Sequence, residues 1–145
     1  MRKIIVIMAI LMWVGQVHAL ILRVSGDGTQ DFEQIQSAIA QSCDGDTVLV
    51  YPGRYYENLS MMGKNITLAS LELTTGNLEY KYNTIIDGGR NESVISIKNG
   101  ESELTIRGFT ITNGSGHMDL TTRLFRGGGI FLIGQGNVRN FYLIN

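Results

Sequence analysis

The chain has 145 residues, which is enough for one modest domain. It carries 12 Lys and Arg against 13 Asp and Glu, giving a net charge of −1, and the ten basic residues beyond position 19 are scattered singly. This balance excludes a nucleic-acid partner, because a phosphate-binding surface needs a basic excess. The single cysteine, Cys43, excludes an internal disulfide. With so few His to act as a base, Cys43 is predicted to be a buried structural residue rather than a nucleophile.

Residues 1–19 are predicted to be a cleavable signal peptide. Two basic residues precede an unbroken apolar run over 4–14, and a small residue stands at the cleavage point. The run is shorter than the roughly 20 apolar residues that cross a bilayer. The alternative is an uncleaved anchor that runs on to Leu22, although polar residues interrupt it after position 14. We therefore expect a protein that is secreted or held at the cell surface, with no membrane span after cleavage.

Residues 20–46 are predicted to form a strand followed by an amphipathic helix. Leu20 to Val24 is a short apolar strand, and a loop rich in Gly and Asp follows it. Asp31 is predicted to cap the helix, with Gln34 three residues on as in a capping box. The helix is predicted to end near Cys43. Its apolar face consists of Phe32, Ile35, Ala38 and Ile39.

The region 47–145 changes to short apolar pieces separated by Gly, Asn and Asp, with Pro52 as the only proline. Strands are predicted over 47–51, 65–70, 84–87, 93–97, 104–106, 109–112, 129–133 and 138–144. Since no helical crossover is evident between them, we expect coils whose strands stack in parallel rather than as hairpins. The residues predicted to point inward include Val48, Val50, Ile66, Leu68, Ile95 and Ile97. The preceding helix is then expected to cover the open end of the first coil.

Several segments carry a family resemblance. Residues 26–39 (GDGTQDFEQIQSAI) and 45–58 (GDTVLVYPGRYYEN) resemble the opening of pectinesterases. Residues 84–89 and 104–114 resemble coil signatures of the broader pectin-lyase-like superfamily, and 127–131 resembles a turn-and-strand element of bacterial surface β-helices. The resemblance implies an all-β, right-handed parallel β-helix with an N-terminal capping helix. It is specific for the fold and not for an activity, because this fold carries many functions.

The catalytic residues of the resembled enzymes do not carry over. Pectinesterases use a Gln-Asp pair on a coil, whereas Gln30-Asp31 lies in the loop before the predicted helix. The Gly-His-Gly of polygalacturonases is broken at Gly116-His117-Met118, and no motif resembling the calcium and basic residues of pectate lyases is found. We therefore predict no catalytic residue in this chain. The alternative is the N-terminal fragment of a pectin-lyase-like enzyme, either a pectinesterase or a polysaccharide lyase or hydrolase.

The Asp residues of the coil region indicate turns rather than chemistry. Sugar hydrolysis by the common route needs two carboxylates facing each other. Asp87 precedes Gly88-Gly89, where its side chain can bond the turn backbone, and Asp119 is predicted to lie in an irregular loop. We expect neither to be a catalytic acid.

Four Asp residues near the predicted helix are the candidates for a metal site: Asp27, Asp31, Asp44 and Asp46. Turns and a helix cap explain them, and the alternative is a calcium site, which needs six to eight oxygen ligands. His117, left alone once residues 1–19 are removed, cannot form a zinc site or a catalytic triad. No cofactor is predicted.

Two tyrosines, Tyr80 and Tyr82, are the predicted glycan contacts. They alternate with Lys81, which allows both rings to lie on one exposed face. Tyr55 and Tyr56 follow the Pro-Gly turn and are predicted to be packing residues instead.

The function predicted from these features is that of a secreted or cell-surface β-helix protein with a structural, adhesive or carbohydrate-binding role. Its expected partner is a polysaccharide or a cell-surface glycan. The chain stops at Asn145, inside or just after a predicted strand and without a polar lid. Because a solenoid needs a cap at both ends, we expect a truncated chain, with further coils or a partner covering that end.

Overall fold

The computed structural model describes residues 18–98, 100–119 and 124–133. The described residues form short strands and three short helices. The strands are β1 (Ile21–Val24), β2 (Thr47–Val50), β3 (Gly53–Tyr56), β4 (Leu59–Ser60), β5 (Thr67–Ser70), β6 (Thr84–Asp87), β7 (Ile95–Ile97), β8 (Thr105–Arg107), β9 (Thr110–Thr112), β10 (His117–Asp119), β11 (Leu124–Arg126) and β12 (Ile130–Leu132). The helices are α1 (Ile35–Gln41), α2 (Glu72–Thr75) and α3 (Tyr80–Asn83). Nearly all of the predicted signal peptide and the whole predicted strand over 138–144 lie outside the described residues.

Most of the strands pair in parallel. One sheet has the order β1-β2-β5-β8, a second has the order β3-β6-β9, and a third has the order β4-β7-β12. From β2 onward the chain visits these three sheets in the same cyclic order, and the β10–β11 antiparallel pair comes between β9 and β12. The fold is therefore β-rich with few helices. The prediction of parallel rather than hairpin pairing is confirmed for the three larger sheets.

Apolar side chains are aligned from strand to strand in each parallel sheet. The aligned sets are Val48–Leu68–Ile106, Tyr55–Ile86–Ile111 and Leu59–Ile95–Ile130. Together with the apolar face of α1 they belong to one hydrophobic core cluster, with Ile130 partly buried at its margin. The side chains predicted to point inward are all buried, since none of the six is more than 2% exposed. Alternation along each strand therefore sends one set of side chains to the core and the other set outward.

Helix α1 is shorter than predicted, and its cap differs. Asp31 does not cap it, because its Oδ2 accepts a hydrogen bond from the Arg23 amide at 2.9 Å. Phe32 forms a parallel bridge with Val24, and this extended pairing delays the start of the helix. The first amides of α1, those of Ile35 and Gln36, instead donate to the two carboxylate oxygens of Glu57, each at 2.8 Å. A carboxylate at this end suits the helix dipole.

Lys64, between β4 and β5, and Ser60, in β4, bind the rest of α1. The ammonium group of Lys64 donates to the carbonyls of Ile39, Ala40 and Ser42 at 2.6–2.7 Å, which satisfies the C-terminal end of the helix. The side-chain amide of Gln36 accepts from the Ser60 amide at 2.8 Å and donates to the Ser60 carbonyl at 3.2 Å. The helix thus packs against β1, β2 and β4 and pairs with the free edge of β4.

Three local predictions are wrong. Cys43 is exposed rather than buried, because α1 ends at Gln41 and Cys43 enters the turn before β2, where its amide donates to Asp46 Oδ2. Asp119 lies in β10, which pairs with β11, and not in an irregular loop. The connection between β5 and β6 contains the helices α2 and α3, whereas no helix was predicted between the strands.

Candidate functional site

The outward side of the β3-β6-β9 sheet combines an exposed aromatic ring with polar groups. Tyr55 points to the core and is 4% exposed, so its neighbours Arg54 and Tyr56 point outward. Tyr56 is 74% exposed, more than any other large hydrophobic side chain in the described residues. We call this surface the β3–β6–β9 outer face. It consists of Arg54, Tyr56, Ile85, Asp87, Thr110 and Thr112.

Asp87 is the anchor of this face. Its carboxylate accepts hydrogen bonds from the Gly89 amide at 3.0 Å and from Asn113 Nδ2 at 3.0 Å to both oxygens. Arg54 Nη1 lies 2.5 Å from Asp87 Oδ2 and completes an ion pair. The prediction that Asp87 bonds the turn backbone is confirmed, whereas its pairing with Arg54 and Asn113 was not predicted.

These contacts decide the charge on Asp87. The Gly89 amide, Asn113 and Arg54 together hold the pKa of the Asp87 carboxyl below its usual value. A carboxylate that is ionised and fully hydrogen-bonded cannot serve as a proton donor near neutral pH. The arrangement therefore suits Asp87 to fixing the position of Arg54, whose side chain is 43% exposed.

A surface depression of about 290 Å³ adjoins Arg54. Its lining residues are Ser25, Gly26, Asp27, Pro52, Gly53, Arg54 and Tyr55. An added Cβ at Gly26 or Gly53 would lie 3.7 Å or 3.4 Å from the Tyr55 ring. A side chain at either position would therefore contact the Tyr55 ring at the depression.

Asp27 gives the depression a negative charge. Its Oδ1 accepts hydrogen bonds from the Ser25 hydroxyl at 2.7 Å and from the Thr29 amide and hydroxyl at 3.0 and 2.7 Å. The Ser25 and Thr29 donors lower the pKa of Asp27 to about 2. Burial raises the pKa of Tyr55, whose hydroxyl donates to the Tyr51 carbonyl at 2.9 Å. Asp27 is thus ionised, and Tyr55 neutral, throughout the physiological pH range.

The predicted glycan contacts Tyr80 and Tyr82 lie in α3 rather than in an extended segment. Residues two apart in a helix do not face the same way, so their alternation with Lys81 does not place both rings on one face. Tyr82 is 58% exposed, and Lys81 Nζ lies 4.8 Å from the centre of its ring. Because α3 packs against β6 and β9, and Thr110 Oγ1 donates to the Lys81 carbonyl, α3 borders the β3–β6–β9 outer face.

Tyr55 and Tyr56 have opposite outcomes. The packing role predicted for Tyr55 is confirmed by its burial, whereas the same prediction for Tyr56 is wrong. The sequence signal that distinguishes them is alternation along the strand, because Arg54 and Tyr56 flank Tyr55 and therefore point to the opposite side.

The four Asp residues near α1 are turn residues. Besides Asp27 and Asp31, Asp44 accepts from the Asn65 amide at 2.9 Å, and Asp46 accepts from the amides of Leu20 and Cys43 at 2.8 and 2.7 Å. Within the described ranges, no three His, Cys, Asp or Glu side chains come together in a group that could hold a metal ion. His117 lies in β10.

A second ion pair lies on the outward side of the β1-β2-β5-β8 sheet. Arg107 Nε and Nη2 lie 2.9 and 2.5 Å from the two carboxylate oxygens of Glu72, a bidentate arrangement. Ser70 Oγ accepts from the Glu72 amide at 3.2 Å. Leu49 and Ala69, aligned with Arg107 on the neighbouring strands, are buried. This side of the sheet is therefore covered at Leu49 and Ala69, whereas the β3–β6–β9 outer face exposes Arg54 and Tyr56.

Comparisons with protein families, with curated proteins and with solved structures find no match to this chain. None of the helices in the described ranges has the length and apolar character that a membrane crossing requires.

Proposed function

We propose that the chain folds as a right-handed parallel β-helix of the pectin-lyase-like kind, with α1 closing its first coil. The cyclic order in which the chain visits three parallel sheets supports this proposal. So does the single core cluster to which all three sheets and α1 contribute. The contacts of Glu57 and Lys64 with α1, and of Gln36 in α1 with Ser60, support the capping role, since they fix the helix at the open edge of β4.

The proposed function is carbohydrate binding by a secreted or cell-surface protein with a structural or adhesive role. The observation that carries it is the exposed Tyr56 ring beside Arg54, which pairs with Asp87, a carboxylate that Asn113 holds in place. An aromatic ring offers a flat apolar surface to the C–H groups of a sugar, while neighbouring polar groups bond its hydroxyls. Tyr82, at the border of the same face, remains a proposed contact.

The alternative, part of a carbohydrate-active enzyme, is less well supported at this face. Glycoside hydrolysis requires one carboxyl with a raised pKa to protonate the leaving group. Asp87 has a lowered pKa, and its oxygens are taken by Gly89, Asn113 and Arg54. Its environment therefore suits it to holding Arg54 in place and not to donating a proton.

A glycan array probed with the full chain tests the proposed function. We expect binding by the wild-type chain and at least a tenfold loss in Tyr56→Ala, which corresponds to about 1.4 kcal/mol. Leu132→Ala is the matched control, because Leu132 is 46% exposed on β12 in another sheet. Undiminished binding by Tyr56→Ala, or no binding to any glycan, would overturn the proposal.

Export is tested separately. Expression with residues 1–19 in place should release the chain into the medium or to the cell surface with Leu20 as its first residue, as read by N-terminal sequencing. Retention of the intact N-terminus inside the cell would contradict the proposed localisation.

A further inference from the structure

The positive charge of Arg54 on the β3–β6–β9 outer face is neutralised by the Asp87 carboxylate. Arg54 Nη1 pairs with Asp87 Oδ2, and the Gly89 amide and Asn113 keep that carboxylate in place. The pair is therefore close to neutral as seen by a ligand above it. An anionic ligand that approached Arg54 would compete with a carboxylate that is already fixed.

The negative charge of the depression is not matched in this way. The groups bonded to Asp27 are the hydroxyls of Ser25 and Thr29 and the Thr29 amide, and all are neutral. Asp27 belongs to neither of the ion pairs Arg54–Asp87 and Arg107–Glu72. Asp27 thus contributes a charge of −1 to the depression that it lines together with Arg54.

The Tyr55 hydroxyl reports the same negative potential. After burial, the nearby charges of Asp27 and Glu57 both raise its pKa. Glu57 follows Tyr56 directly, and its carboxylate is fixed at the first amides of α1. The carboxylates of Asp27 and Glu57, both hydrogen-bonded to neutral donors, thus make the electrostatic potential around the Tyr55 hydroxyl negative.

We infer that the carbohydrate bound at the β3–β6–β9 outer face is uncharged, and that Asp27 is the residue that discriminates against anionic sugars. The inference rests on the proposed carbohydrate binding and names its substrate class. A neutral sugar meets the Tyr56 ring and the polar groups without a charge penalty. A sugar carboxylate or sulfate placed in the depression meets the Asp27 carboxylate at close range.

The experiment compares two ligands that differ at C6 alone, one of them neutral and the other anionic. One is a β-1,4-linked glucose hexamer, and the other is the same hexamer with each C6 alcohol oxidised to a carboxylate. Binding to the full chain is measured by calorimetry at pH 7 in about 20 mM and about 150 mM salt, since added salt screens exposed charges. We expect the neutral hexamer to bind at least about threefold more tightly at low salt, with a smaller difference at high salt.

Two variants assign this preference to its residue. Asp27→Asn removes the charge and keeps an oxygen that can accept from Ser25 and Thr29. We therefore expect it to reduce the ratio of the two hexamer affinities by about threefold without weakening the binding of the neutral hexamer. Asp44→Asn is the matched control, because Asp44 is also an exposed Asp in a turn. It lies before β2 and accepts a hydrogen bond from the Asn65 amide. We expect it to leave the difference unchanged.

The outcomes separate this inference from the proposed function. Equal or tighter binding of the oxidised hexamer, lost in Tyr56→Ala, would overturn the inference while leaving carbohydrate binding intact. An unchanged difference in Asp27→Asn, or an equal narrowing in Asp44→Asn, would overturn the role of Asp27. Binding of neither hexamer, together with an empty glycan array, would overturn both.

Discussion

The two Arg–carboxylate pairs of this molecule use the same chemistry on two sheets and leave different surfaces. Glu72 and Arg107 lie where α2 packs against β5, beside the buried Leu49 and Ala69. Asp87 and Arg54 lie on the β3–β6–β9 outer face, next to the exposed Tyr56. The carboxylate is the more buried partner in both pairs.

The difference shows what each pair does. The Glu72–Arg107 pair joins α2, which follows β5, to β8 of the same sheet. Its two charges therefore stabilise the fold. The Asp87–Arg54 pair holds Arg54, whose side chain is 43% exposed, by a carboxylate side chain that is only 4% exposed. It fixes a side chain at an open surface, which is the arrangement that a binding site needs.

The largest effect on stability is expected at Gly108, beside the Glu72–Arg107 pair, which we call the covered pair. Gly108 has a φ of +78°, and an added Cβ would overlap Ser70 Oγ and lie 3.2 Å from Glu72 Cβ and Oε2. Gly108→Ala should lower the free energy of unfolding by about 2–4 kcal/mol, from backbone strain and overpacking together. Urea denaturation measures the change.

Gly45→Ala is the control for the strain alone. Gly45 has a φ of +90° with nothing within 4 Å of an added Cβ. It should cost about 1 kcal/mol. Equal costs at Gly45 and Gly108 would show that the covered pair is not tightly packed.

The next effect is expected from the carboxylate of the covered pair. Glu72→Gln weakens a charge-assisted, bidentate interaction of a residue that is 8% exposed, and should cost about 1–3 kcal/mol. Glu79→Gln, an exposed site in the same connection, should change stability by no more than about 0.5 kcal/mol. A Glu72→Gln chain as stable as Glu79→Gln would place the pair among ordinary surface ion pairs.

A smaller effect that depends on pH is expected at Asp87. Its pKa is lowered in the folded chain, so the native state binds fewer protons than the unfolded state in mildly acidic solution. Stability from Asp87 is therefore present above the unfolded pKa of about 3.9 and is lost as the pH falls through the lower, folded value. The urea midpoint of the wild type should exceed that of Asp87→Asn at pH 6, and the gap should shrink toward pH 3. A gap that grew in acid would contradict the assigned direction.

The smallest effect on stability is expected at Tyr56, although the largest effect on binding is expected there. Because the ring is 74% exposed, Tyr56→Ala should change the free energy of unfolding by no more than about 0.5 kcal/mol. Thermal and urea unfolding of the variant used on the glycan array provide the measurement. A loss above 1 kcal/mol would show that the ring packs within the fold and is not free for a ligand.

Local patterns were enough to predict most of the parallel strands. The predicted strand over 84–87 matches β6, and the segment 65–70 contains β5 together with the buried Ile66. Alternation of apolar residues marks the side that faces the core, and Gly, Asn and Asp mark the turns. β3 was missed because Pro52-Gly53 is a strong turn signal, and β3 begins at Gly53 within that signal.

The candidate site depends on contacts that no local pattern encodes. Arg54 and Asp87 are 33 positions apart, and Asp87 and Asn113 are 26 apart. The caps of α1 are equally remote, since Glu57 lies 22 positions from Ile35. These contacts arise only from the parallel register of β3, β6 and β9 and from the packing of α1. The sequence shows the turn role of Asp87 but not its partners.

The parallel register of the β3-β6-β9 sheet is the most direct test of the account. Tyr56 aligns with Asp87, and Asp87 aligns with Thr112, so Tyr56 and Thr112 are two strand spacings apart, or about 10 Å between Cα atoms. Nitroxide labels on Tyr56→Cys and Thr112→Cys, in a chain carrying Cys43→Ser to remove the exposed thiol, measure this separation by their dipolar broadening. Strong broadening, absent from either single label, is the predicted result. Labels separated well beyond two strand spacings would contradict the stacked arrangement and the site built on it.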